Sequence, residues 1–164
     1  MKNLVKYLAL LCMSMLVLPI IPAQADYVGR FAKYVTTIKS QNFPEVEVGT
    51  SETRVVSQDP TTHKYLIQIT NQDSQGTSTQ KTASFSTTEL DQQKQGALFN
   101  HCTDNYGTLS GSPIVVKNNS FPACIIKSSN AEMDVGMVPF SVLKSISHGA
   151  RGKIYTTKLV DYQE

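Results

Sequence analysis

Pro113-Ile114-Val115-Val116-Lys117-Asn118-Asn119-Ser120-Phe121-Pro122-Ala123-Cys124-Ile125-Ile126-Lys127 is the stretch that decides the fold. Two runs rich in β-branched residues flank Asn118-Asn119-Ser120, whose short polar side chains bond nearby backbone and favour a reversal of the chain. Working outward, Ala97-Leu98-Phe99 leads into Cys102, and further strands are predicted over residues 132–135, 140–147 and 153–162. Turn chemistry recurring every ~8–12 residues is the signature of an antiparallel meander. The long connections that crossover helices need are missing, which disfavours a parallel α/β sheet.

Towards the N-terminus the texture is the same. Thr53-Arg54-Val55-Val56-Ser57, the turn Gln58-Asp59-Pro60, and Tyr65-Leu66-Ile67-Gln68-Ile69-Thr70 read as a hairpin. Residues 74–95 are crowded with Ser, Thr and Gln; Ala83-Ser84-Phe85-Ser86-Thr87 alternates as a strand with one wet face, and a flexible loop is the equal alternative. From Tyr27 to Ile38 the apolar side chains fall at helical spacing and Asp26 is available as a cap, which predicts a short N-terminal helix. Gly29 and the run Val35-Thr36-Thr37-Ile38 weigh against it and leave an opening strand as the alternative.

Lys2 and Lys6 precede an apolar run from Tyr7 to Ile21, followed by Pro22 and Ala23-Gln24-Ala25. A basic start, an apolar centre and a small-residue ending are the parts of a secretory signal, so residues 1–25 are read as a signal peptide and residues 26–164 as a single β-rich domain. An uncleaved anchor is disfavoured because the apolar run falls short of the ~20 residues of a bilayer span. Lipidation at Cys12 is disfavoured because Leu11, not a small residue, precedes it.

Cleavage removes two of the 15 basic residues and none of the 13 acidic ones, so the exported domain is neutral. That balance lacks the electrostatic footprint on which nucleic-acid binders rely, and no nucleic acid is expected as a partner. Cys102 and Cys124 remain after cleavage, and an even pair in an exported chain predicts a disulfide. The competing reading makes one of the two cysteines a nucleophile, with His101 beside Cys102 and His148 further on as candidate bases. Strand neighbours point to opposite faces, which places His101 poorly for that role.

Chemistry is otherwise sparse. His63, His101 and His148 are scattered without ligand spacing, so no metal is expected. Gly107-Thr108-Leu109-Ser110-Gly111-Ser112 lacks the lysine and the strand-loop-helix context of a phosphate loop, and no cofactor is expected.

The order Phe43-Pro44-x-x-x-Val48-Gly49-Thr50, a cysteine strand with Tyr106-Gly107, Asn119-Ser120-Phe121-Pro122-Ala123-Cys124, and Val138-Pro139-Phe140-Ser141-Val142-Leu143-Lys144 resembles a loose group of uncharacterised bacterial envelope domains. The likeness covers most of residues 43–162. It departs at Glu52 or Thr53, where an aromatic is expected, and at Ser120, which replaces a glycine-threonine pair. The resemblance implies a mainly β fold with a strongly curved antiparallel sheet, a half-barrel or open barrel similar to that of periplasmic lipoprotein carriers. It brings no catalytic residue with it.

Two functions from different classes follow. The first is a periplasmic or secreted, non-enzymatic envelope protein that uses its curved sheet to hold an apolar ligand or an envelope partner protein. The second is a small secreted hydrolase using Asp104 with His101 or His148, suggested by the cluster His101-Cys102-Thr103-Asp104-Asn105-Tyr106.

Overall fold

The computed structural model describes residues 27–40, 43–94, 97–104 and 107–164. The predicted signal peptide, the Asp26 cap, Cys12, Asn105 and Tyr106 lie outside the described residues.

The chain runs β1 (Phe31–Ser40), β2 (Phe43–Gln58), β3 (Tyr65–Asp73), β4 (Ser78–Phe85), α1 (Thr87–Lys94), α2 (Ala97–Asn100) and β5 (Thr108–Leu109). It continues through β6 (Ile114–Val116), β7 (Asn119–Phe121), β8 (Cys124–Lys127), β9 (Ala131–Val135), β10 (Val142–His148) and β11 (Ile154–Gln163). Nine of these strands form one sheet in the order β4-β3-β2-β1-β11-β10-β9-β8-β5, while β6 and β7 pair separately. Every pairing is antiparallel. The terminal strands β4 and β5 do not meet, so the sheet is open rather than a closed barrel.

The predicted N-terminal helix is absent. Residues 27–30 form a turn closed by an Arg30 N–H donating to the Tyr27 carbonyl at 3.1 Å, and Gly29 sits at φ 92°, outside the helical region. Strand β1 follows at once, because Val35, Thr36 and Ile38 are stiff at χ1 and find ladder partners on both sides, Thr50, Gly49 and Val46 in β2 and Lys158, Thr157 and Tyr155 in β11. The spacing that looked helical resolves as alternation: Ala32 and Tyr34 are buried and Lys33 is exposed.

The hairpin read at Thr53 to Thr70 is β2 with β3, turned by Asp59, whose carboxylate accepts from the Thr61 and Thr62 backbone N–H groups at 2.7 and 3.0 Å. Those bonds hold its pKa below the ordinary aspartate value. The ambiguous polar stretch divides. Its middle is strand β4, and Thr87–Lys94 is a helix whose start was written in the sequence as Ser86-x-x-Glu89. The Ser86 N–H donates to Glu89 at 2.6 Å and the Glu89 N–H donates back to the Ser86 hydroxyl at 3.3 Å, a reciprocal cap.

Cross-strand register puts Tyr65 and Ile67 of β3, Val55 of β2, Ala32 and Tyr34 of β1, Leu159 of β11, Leu143 of β10, Val135 of β9 and Cys124 of β8 on one face. Residues 27–30, α1 with Leu90, the β6–β7 hairpin with Val116, and the turn carrying Val138 and Phe140 cover that face. Leu143 owes its depth to a bulge: Val142 opposes Val135, Lys144 opposes Asp134, and the extra residue Leu143 is 1% exposed. Burial pushes the Tyr34 phenol well above its ordinary pKa.

On the opposite face one carboxylate is buried. Asp134 is 6% exposed, with the Lys144 ammonium 3.7 Å away and Glu132 and Lys127 in the same field. Burial outweighs the attraction of Lys144 and raises the Asp134 pKa. The folded chain therefore holds that proton more tightly than the unfolded chain, and stability falls as pH rises through the raised value.

Three outcomes follow for stability. Leu143→Ala removes a fully buried side chain and should cost ~2–5 kcal/mol in denaturant unfolding. Asp134→Asn should raise the melting temperature at pH 7, with the gain shrinking as the pH drops through the raised Asp134 value and gone below the ordinary aspartate value of ~3.9; a lower melting temperature at pH 7 would mean that the Lys144 attraction dominates. Native Cys102 and Cys124 should resist alkylation until reduced, and Cys102→Ala with Cys124→Ala should cost roughly 3 kcal/mol.

Candidate functional site

The elements covering the core face gather at one end of the sheet, where the 27–30 turn, α1 and the β6–β7 hairpin lie. At the other end, towards the β3–β4 and β10–β11 connections, no described element covers the same face. Its chemistry changes along the way. Beyond Ala32 and Tyr34, β1 presents Thr36 and then Ile38; Ser51 and Gly49 follow on β2, Asn71 on β3, Thr79 on β4, and Thr157 and Tyr155 on β11.

Two hollows lie on this open end. The first, about 410 Å³, is lined by Thr36, Gly49, Ser51, Asn71, Thr79 and Tyr155 among others. Gly49 leaves its floor without a side chain, and the Thr36 and Thr157 hydroxyls bond each other at 2.9 Å. The second, about 340 Å³, is formed by Ile38, Ser40, Phe43, Pro44, Val46 and Lys153. Phe43 is 71% exposed and Val46 51% exposed, although the cross-strand pairs Ile38 with Val46 and Ser40 with Phe43 draw them to one side of the hairpin. The charged residues of that hairpin lie elsewhere: Glu47 opposes Thr37, and the Thr37 hydroxyl donates to the Glu45 carboxylate.

A third depression, about 560 Å³, lies between the β6–β7 hairpin and the end of β11. Its polar groups already engage one another. Lys117 pairs with Asp161 at 2.5 Å, which lowers the Asp161 pKa, and the Asn119 amide donates to the Tyr162 hydroxyl at 2.5 Å. Phe121 meets the Tyr162 ring edge-on at 5.5 Å between centroids.

The cysteines come together. Their sulfurs lie 2.06 Å apart with Cα atoms 5.7 Å apart, joining the turn after α2 to β8. Gly107 is required beside them, since a Cβ there would collide with the Cys124 sulfur, and its N–H donates to the Cys102 carbonyl at 2.7 Å.

The hydrolase candidates also meet. His101 Nδ1 lies 3.0 Å from Asp104 Oδ2. Their side chains are 66% and 72% exposed, so the pair sits in water within its own turn and lacks the desolvated surroundings that tune acid-base groups. His63 lies in the exposed β2–β3 turn and His148 at the exposed end of β10. Among the described residues no group of three or more His, Cys, Asp or Glu is placed to hold a metal ion. Among the same residues no helix is long and apolar enough to cross a membrane.

The open end of the face went unread in the sequence. Phe43-Pro44-Glu45-Val46-Glu47-Val48 carried a usable signal, because its charges alternate with apolar residues and mark a strand with one apolar side. The hydroxyl-bearing residues carried none, since they are brought side by side from four strands by register alone.

No protein-family model matches the chain, and no curated protein sequence matches it. Among solved structures, the crystal structure of the LolA superfamily protein NE2245 from Nitrosomonas europaea is similar at 7% identity, covering 84% of this chain and 86% of that chain, with a TM-score of 0.24. A superposition that loose establishes neither a shared fold nor a shared activity.

Proposed function

We propose that this chain is an exported bacterial envelope protein, non-enzymatic, that holds an apolar ligand or an apolar segment of a partner protein on the open end of its curved sheet. Residues 1–25 act as the signal peptide, residues 26–164 make up the β-rich domain, and the bonded pair Cys102 and Cys124 suits the periplasm or the cell exterior. Opposite Lys33/Tyr34 and Thr36/Thr37 of β1 the neighbouring strands each carry one extra residue, Val160 of β11 and Val48 of β2, and such bulges bend those strands and raise the local twist, which supports the curvature that an inner binding face needs.

One observation carries the reading: the groove of Ile38, Phe43, Pro44 and Val46, where large apolar side chains stand exposed on one side of a hairpin. Isolated exposed apolar residues are ordinary, whereas a contiguous concave set marks a site of binding. The aliphatic stem of Lys153 extends the same wall while its ammonium reaches water.

N-phenyl-1-naphthylamine, an uncharged apolar dye, should bind the exported form of the protein with enhanced fluorescence. Val46→Asp should weaken that binding at least fivefold with little change in melting temperature, because the side chain is exposed. Unchanged dye binding in Val46→Asp, or no binding by the parent protein, would overturn the reading. Organic extraction of protein purified from the envelope, followed by mass spectrometry, identifies any lipid carried along.

A further inference from the structure

We propose that the molecule held here is a long-chain carboxylate, its negative charge set against Lys153 and its alkyl chain lying along Phe43, Ile38 and Val46 towards Tyr155. This rests on the binding reading above and names the chemistry of its ligand. Among the described residues Lys153 is the one charged side chain that lines the apolar groove. Its place follows from register: Lys39 pairs with Ile154, so Lys153 stands beside Ser40, and Ser40 pairs in turn with Phe43. The turn that carries it is closed by the Gly149 N–H donating to the Lys153 carbonyl at 2.8 Å, which fixes the backbone from which the ammonium reaches the groove.

Charge beside the groove has one sign. From Val135 to Val160 the chain carries Lys144, Arg151, Lys153 and Lys158 and no aspartate or glutamate. Among the described residues neither Arg151 nor Lys153 is in an ion pair. The carboxylates of the neighbouring hairpin do not answer them: Glu47 opposes Thr37, on the other face from Ile38, and Glu45 accepts from the Thr37 hydroxyl. A ligand that brings its own carboxylate supplies the missing partner, and the compact ammonium of the one lysine in the groove matches a single negative charge. The site also has a direction. Ile38 and Tyr155 are opposed across β1 and β11, Ile38 lining the apolar groove and Tyr155 the hollow beyond it. That hollow exposes mostly apolar surface and has Asp73 among its lining residues. A carboxylate head is repelled at the Asp73 end and attracted at the Lys153 end, whereas an alkyl chain passing Ile38 continues onto apolar surface. From Ser40 to Thr36 is about 13 Å along β1, within reach of a dodecanoyl chain.

The test compares probes of one tail length and different heads, dodecanoate, dodecyltrimethylammonium and dodecyl phosphate, each below its critical micelle concentration, at pH 8 and low salt, where an exposed charge is least screened. Displacement of N-phenyl-1-naphthylamine from the exported form is the readout. Dodecanoate should displace the dye at a concentration at least fivefold below that needed for dodecyltrimethylammonium. Lys153→Gln should bring the two within twofold of each other, and Lys153→Glu should reverse their order, both variants still binding dye. Equal potency in the parent protein, or a preference for dodecanoate that survives in Lys153→Gln, would overturn the head assignment and leave the apolar groove standing. Displacement by dodecyl phosphate at a lower concentration than dodecanoate would overturn the carboxylate in favour of a phosphate head. Failure of the dye itself to bind would sink the binding reading and this one with it.

Discussion

The register of β1 governs the molecule. Strand β1 lies between β2 and β11, and both neighbours run antiparallel to it, so each of its side chains is committed to one face by two ladders at once. A slip of one residue would drive Lys33 into the core and lift Ala32 and Tyr34 out of it. The same alternation that buries Ala32 and Tyr34 delivers Thr36 and Ile38 to the uncovered end, so the core and the proposed site are two parts of one stripe. Changing the residues of one without regard to the other is open to evolution; changing the register is not.

Whether that stripe is filled depends on how far the covering layer reaches. Tyr27 meets Tyr65 edge-on at 5.1 Å, its hydroxyl donates to Asp91 on α1, and Arg30 stacks over its ring at 4.3 Å. Leu90 on α1 and Phe140 in the turn between β9 and β10 complete that end. The cysteine pair ties the segment after α2 to β8, which keeps a second part of the layer over Val135. Each of these anchors acts at the same end of the sheet. The far end keeps its strands through ladder bonds and cross-strand side-chain bonds such as that between the Thr36 and Thr157 hydroxyls, and no described element covers the face there.

Much of this was legible from single residues and little from their neighbours in space. The alternating runs at residues 53–57, 65–70 and 153–162 became β2, β3 and β11, since a period of two leaves few alternatives once helical length is lacking. The N-terminal segment misled because Tyr27, Phe31, Tyr34 and Ile38 satisfy a helical period by coincidence; Gly29 and the β-branched residues after it were the better witnesses, and long-range pairing with β11 overrode the local pattern. Cys102 and Cys124 came to bonding distance as their number had implied. His101 and Asp104 met as well, in an exposed turn, and exposure is a property no spacing reveals. The open face drew its residues from β1, β2, β3, β4 and β11, and a single chain read in order has no means of placing Thr36 beside Asn71.

An exposed apolar groove on a β-sheet is a hazard unless its backbone is guarded, and the guard here says something about the occupant. Strand β2 extends past β3, whose pairing with it stops at Gly49 and Asp73 and is followed by the Ser74 N–H donating to the Val48 carbonyl at 3.1 Å, so, among the described residues, 43–47 have no strand on that side. Pro44 removes one donor from that edge, and Glu45 and Glu47 add charge to it, both of which discourage another strand from adding there. Of the two terminal strands of the sheet, β4 carries Lys81 amid Ser, Thr and Gln, and β5 is only two residues long. Recognition through main-chain hydrogen bonds is thus disfavoured at the very place where Phe43 and Val46 remain exposed beside half-buried Ile38. What the groove offers is side-chain surface, which suits a ligand that brings apolar area without a peptide backbone, and this is why an alkyl chain fits it better than a β-strand.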